Sequence, residues 1–102
     1  MYEMSKPIYK VWLVKLTEAA YEMSPEEMNK HLEKVDEALE KVGGERVISC
    51  DSVWCSENFQ YWGVEKFPDI EAVQKHADFL SELNHYKYID SVSYLGTETQ
   101  GS

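Results

Sequence analysis

Apolar residues recur with two different periods along the chain, and the switches between them mark out the elements. Ile8 to Leu16 (IYKVWLVKL) alternates between two apolar sets, Ile8, Trp12, Val14 and Leu16 on one side and Tyr9, Val11 and Leu13 on the other. This predicts a strand, bounded by Pro7 and by Thr17-Glu18, that needs cover on both faces. A connector runs through Tyr21. Ser24-Pro25-Glu26-Glu27 then predicts a helix start, with Ser24 as cap, Pro25 in the first turn and Glu27 closing a capping box. Met28, Leu32, Val35, Leu39 and Val42 follow at steps of three and four, Glu26, Asn29, Lys30, Glu33, Asp36, Glu37 and Glu40 take the other side, and Gly43-Gly44 ends the helix.

Glu45 to Cys55 (ERVISCDSVWC) predicts a second strand and Phe59 to Phe67 (FQYWGVEKF) a third, joined as a hairpin by a turn at Ser56-Glu57-Asn58. Pro68-Asp69 supplies the stop and the cap of a second helix running to about Asn84, with Ile70, Val73, Ala77, Leu80 and Leu83 as its stripe and Ala72 and Phe79 on its flank. Tyr86 to Leu95 (YKYIDSVSYL) predicts the last strand. Residues 1–7 read as a flexible leader, 8–96 as one domain and 97–102 as a disordered polar tail. With right-handed crossovers, the order strand, helix, strand, strand, helix, strand gives an α+β fold. It is the ferredoxin-like βαββαβ arrangement, a four-stranded antiparallel sheet with two helices on one face. A weak internal echo suits the pseudo-symmetry of that fold: Trp12-Leu-Val-Lys against Trp62-Gly-Val-Glu-Lys, and Lys30-His31 against Lys75-His76.

Val11-Trp12-Leu13-Val14, the helix opening Ser24-Pro25-Glu26-Glu27, and the stretch from Trp62 through Pro68-Asp69 to Val73 carry a resemblance to the dimeric α/β-barrel superfamily, over roughly residues 8 to 95. Its members are single ferredoxin-like domains that pair sheet against sheet, and they include small-molecule monooxygenases, lactone isomerases, haem-handling enzymes and stress-responsive proteins. The resemblance implies a homodimer. The first strand points the same way, since two helices cover one face of the sheet and leave the other to a second subunit. Burying Trp12, Val14 and their neighbours from two subunits would be worth on the order of 10 kcal/mol gross at ~25 cal/mol per Å².

Length and charge narrow the rest. One hundred and two residues, 43% of them hydrophobic, make one domain, and nineteen acidic against ten basic residues give a net charge of -9. That field repels polyanions, so nucleic acid is excluded as a partner. No apolar run is long enough to span a bilayer, and MYEMSKP lacks the apolar core of a signal peptide, so no membrane role is expected and the expected location is cytoplasmic. Cys50 and Cys55, five apart in one predicted strand, point to opposite faces and read as plain thiols in a reducing compartment.

Ten of the thirteen aromatics, Tyr9, Trp12, Trp54, Phe59, Tyr61, Trp62, Phe67, Tyr86, Tyr88 and Tyr94, fall in predicted strands. Rings with polar tips can line a pocket for a planar ligand, so Trp12, Tyr61, Trp62, Tyr88 and Tyr94, with His31, are the candidate pocket residues. His76 lies within the apolar stripe of the second helix and points at the sheet, where a neutral imidazole could act as a general base or an axial ligand. His31 sits at the margin of the first stripe. The resemblance adds two pairings: Trp62 with His76 matches, in kind, the tryptophan and histidine that face porphyrin in haem-degrading members, although the strand asparagine those members use is missing here. Another branch pairs a histidine with an aspartate, for which Asp51 and Asp90 are candidates beside His76. Arg46, the single arginine, reads as peripheral, which disfavours anionic substrates. No phosphate loop, nucleophile elbow or zinc signature is present, so no cofactor or metal is expected.

The expected protein is therefore a homodimer that binds a small organic ligand, or a cofactor-independent enzyme of oxygenase or isomerase type, acting on a neutral or aromatic compound in a pocket between sheet and helices. The alternative is a non-catalytic interaction, regulatory or stress-responsive module using its acidic helices. Haem binding is a weaker third.

Overall fold

A computed structural model describes residues 6–99. Its elements are β1 (Ile8–Leu16), a single-turn α1 (Glu18–Tyr21), α2 (Pro25–Lys41), β2 (Glu45–Asp51), β3 (Tyr61–Phe67), α3 (Ile70–Glu82), a 3-10 turn (His85–Lys87) and β4 (Ile89–Gly96). The four strands form one sheet in the order β2-β3-β1-β4, with every neighbouring pair antiparallel. The fold is the expected α+β, ferredoxin-like one.

The local signals act as the sequence predicts. Ser24 Oγ accepts from Glu27 N at 3.1 Å and Glu27 Oε1 accepts from Ser24 N at 2.8 Å, closing the capping box at the start of α2. At its other end Gly43, at φ +76°, allows Gly43 N to donate to Glu40 O and Gly44 N to Leu39 O, each at 3.0 Å. This Schellman closure needs the left-handed residue that glycine supplies without strain. Asp69 Oδ1 accepts from Ala72 N at 2.9 Å and caps α3.

Boundaries move where side chains, not periods, set the path. β2 ends at Asp51 instead of Cys55, and residues 52–60 form a longer connection in place of the short turn at 56–58. Asp51 Oδ1 turns the chain by accepting from Val53 N at 2.9 Å, and buried Ser52 ties the loop by donating from Oγ to Phe59 O at 3.1 Å. Cys55 consequently sits exposed in that loop while Cys50 is half-buried in β2, both as free thiols. α3 stops at Glu82, and Asn84 at φ 58° starts the 3-10 turn that takes Tyr86 and Tyr88 out of the last strand.

Register assigns each strand residue to a face. On one face the cross-strand rows are Arg46, Glu65, Lys10 and Leu95; then Ser49, Gly63, Trp12 and Ser93; then Asp51, Tyr61, Val14 and Ser91. The helices cover this face. Phe67, fully buried, closes a core with Leu39, Ala72 and Val73 and with Ile8 and Val42 at its edge. On the other face the rows are Ile48, Val64, Val11 and Tyr94, and Cys50, Trp62, Leu13 and Val92. Two apolar rows thus cross all four strands with no helix over them, and Tyr94 is 65% exposed. Trp12 and Val14, expected on the open side, belong to the helix side. The open side is that of Tyr9, Val11 and Leu13.

Candidate functional site

The rows beneath the helices explain where a cavity forms. The second and third rows place small residues, Ser49, Gly63, Ser91 and Ser93, beside two rings, Trp12 and Tyr61. A Cβ built on Gly63 would stand 2.6 Å from Ile48 O and 2.8 Å from Trp12 Cε2, so the indole lies directly over the glycine. The core at Phe67 fills one end of the interlayer space, and the small-residue rows leave the other end open. The result is a cavity of about 510 Å³ between sheet and helices, within the range of small-molecule sites.

All three histidines of the chain line it. His76, from α3, is 2% exposed, its ring 5.2 Å from that of Phe67, and neither ring nitrogen meets a hydrogen-bonding partner within the protein. Burial, reinforced by the charges of Lys10, His85 and Arg46, pushes its pKa down to about 4, so it is neutral at neutral pH, one nitrogen a donor and the other an acceptor. Buried Trp12 Nε1 is a second donor without a partner. His85, in the 3-10 turn, is pushed down to about 4 by burial and by its neighbours His31 and Lys10. Its Nδ1 lies 2.9 Å from His31 Nε2, with the rings stacked 5.1 Å apart, and Tyr88 packs edge-on against His31.

The first row adds charge. Arg46 pairs with Asp36 of α2 at 2.9 Å and lies 4.0 Å from Glu65. Burial raises the Glu65 carboxyl above its usual range against the opposing pull of Lys10 and Arg46, and burial lowers Lys10. Arg46 is therefore not peripheral: the bulge between Arg46 and Ile48 turns it into the cavity wall. Two cations and two carboxylates leave that wall formally balanced.

Of the residues singled out from sequence, His76, His31, Trp12, Tyr61 and Tyr88 line the cavity. Trp62 and Tyr94 lie on the open face, and so does Asp90 opposite Lys15. Trp62 and His76 accordingly stand on opposite sides of the sheet and cannot face one porphyrin. Asp51 shares the helix-side face but is exposed at the strand end, engaged with Val53 N. His85 carries no periodic signal in the sequence, because it lies in a turn. Its signal was Asn84, which tolerates the left-handed conformation that folds His85 back toward α2. Among the described residues, no group of three or more His, Cys, Asp or Glu side chains could hold a metal ion, and no helix is long and apolar enough to cross a membrane.

The chain is similar in fold to several solved structures. A protein of unknown function from Rhodopseudomonas palustris superposes with a TM-score of 0.69 at 16% identity, over 94% of this chain and 85% of that one. A hypothetical protein from Arabidopsis thaliana follows at a TM-score of 0.61 and 16% identity, over 100% and 96%. A dimeric ferredoxin-like protein of unknown function from Thermobifida fusca matches at a TM-score of 0.53 and 15% identity, over 96% of each chain. The likeness is one of fold. No family model and no curated protein matches the chain.

Proposed function

We propose that the chain is a homodimeric member of the dimeric α/β-barrel superfamily. In this reading it binds a neutral or aromatic small molecule in the cavity and acts on it without a cofactor, as an isomerase or oxygenase. One observation carries the reading: His76 and Trp12 stand in the wall of the cavity, and both ring nitrogens of the buried, neutral His76 and the indole N–H of Trp12 are without a partner within the protein. Buried polar groups without partners are costly, about 1–3 kcal/mol each, and a small shift of the rings toward a ligand that carries a hydroxyl and a carbonyl would supply the missing partners. The balanced charges of Lys10, Arg46, Asp36 and Glu65 favour a neutral ligand over an ionic one. Both reaction types can begin with removal of a substrate proton, for which imidazole is suited.

Pairing through the sheet follows from the open rows centred on Leu13 and Trp62. A second copy would bury them, and the Thermobifida fusca neighbour is itself described as dimeric. The exposed Glu26, Glu27, Glu33, Glu37 and Glu40 of α2 bear no contact that calls for a basic partner, and they read as a solvated helix face.

Trp12 is the reporter. In a Trp54→Phe/Trp62→Phe protein the remaining tryptophan lines the cavity, and titration with 2-naphthol, acetophenone and 2-tetralone should quench or shift its emission saturably. Unchanged emission across all three, with a folded protein, would overturn the reading.

A further inference from the structure

The imidazoles that line the cavity stand in two settings. His76 stands alone, and any proton it accepts stays on it as a buried cation, which desolvation opposes. His31 and His85 form a pair, Nε2 to Nδ1 at 2.9 Å, and the pair sits in a wall. On one side is the cavity, lined by both rings; on the other is a surface depression between α2 and the end of α3, lined by His31 with Glu27, Lys30, Lys34, Glu82 and Leu83.

We infer that His85 and His31 form a proton relay between the cavity and solvent, with His85 the group that takes a proton from the ligand and His31 the group that passes it out. The inference rests on the small-molecule reading above and names the class of ligand: a neutral compound with an acidic proton, either a phenol or a C–H beside a carbonyl. In the resting tautomer, the proton on His85 Nδ1 is donated to His31 Nε2, the second proton of the pair is on His31 Nδ1, and His85 Nε2 is bare. The ligand's proton bonds to His85 Nε2, the electron pair of the broken C–H or O–H bond remains on the ligand as enolate or phenolate, the shared proton crosses to His31 Nε2, and His31 Nδ1 releases its proton to water. Both rings end neutral with their tautomers reversed, the proton is carried by solvent, and the only new charge left in the site is the anion, in the cavity that Lys10 and Arg46 also line. Running the sequence backward reprotonates the ligand, at the same atom for exchange or at a conjugated one for isomerisation. A pair of this kind removes a proton without leaving a cation on either ring, whereas a lone histidine carries the charge until it passes the proton on.

Hydrogen–deuterium exchange at the benzylic carbon of 2-tetralone in D2O, followed by proton NMR, tests this on the full chain, with Trp12 emission reporting binding separately. The wild-type protein should speed exchange over buffer, and His85→Gln should lower that by about a hundredfold while still binding the ketone. His31→Gln is the discriminating variant. Its amide can keep the hydrogen bond to His85 but cannot carry a proton, so a relay predicts the same loss, whereas a merely structural partner predicts rescue. Wild-type exchange in either glutamine variant, or binding with no exchange in the wild-type protein, overturns the relay and leaves the cavity reading standing. Absence of binding by 2-tetralone and by the other aromatics overturns both.

Discussion

Replacing His76 with leucine exposes the cost of keeping a bare imidazole inside the fold. The ring is 2% exposed, with neither nitrogen hydrogen-bonded within the protein, and an apolar side chain of similar volume removes that burden. His76→Leu should therefore be more stable than wild type at pH 7.5, by about 1–3 kcal/mol. The difference should also grow with acid. A histidine that titrates at 6.5 in the unfolded chain and at about 4 in the folded protein binds more protons unfolded throughout that interval, so stability falls as pH drops from 6.5 toward 4. The full interval corresponds to roughly 3 kcal/mol at ~1.4 kcal/mol per pH unit. The variant lacks this loss. His85, also held down to about 4, titrates in both proteins and cancels to first order, as do the carboxylates. Urea unfolding followed by circular dichroism at pH 7.5, 6.5, 5.5 and 4.5 measures the gap. Parallel stability curves for the two proteins, or a variant that is less stable at every pH, would refute the claim that His76 is buried neutral without partners.

Three further outcomes are expected. Gly63→Ala places a methyl group against the Trp12 ring and Ile48 O, so it should destabilise the fold by about 1–3 kcal/mol and shift Trp12 emission, read by thermal melting and fluorescence. Leu13→Glu puts a charge at the centre of the open apolar rows. Sedimentation should then show one chain's mass where wild type shows two, and a wild-type mass of one chain would remove the dimer. Ser24→Ala deletes the acceptor for Glu27 N and should cost about 1 kcal/mol in urea unfolding without changing ligand binding.

Whatever depends on near neighbours was legible in the residues themselves. The cap at Ser24, the double glycine after Lys41, the cap at Asp69 and the alternation of β1 are each written within a few positions. The order of elements, with the handedness of crossovers, then leaves one fold. His76 was legible too, because the helical period alone places it within the stripe of Val73, Ala77, Leu80 and Leu83. What depended on layers was not. Tyr9, Val11 and Leu13 are as apolar as Ile8, Trp12 and Val14, and only the packing of α2 and α3 decides which set is covered. A one-residue step reverses a strand residue's face, so Trp62 and Tyr61, adjacent in the chain, part to opposite sides of the sheet. Arg46 enters the cavity wall at a bulge, and His85 meets His31 through a turn, and neither device has a period to read. The sequence by itself determined the four strands, the two long helices and the fold. Tertiary structure decided the cavity and the meeting of its three histidines, because a site is a contact between residues far apart in the chain, and periodicity reports only on those that are close.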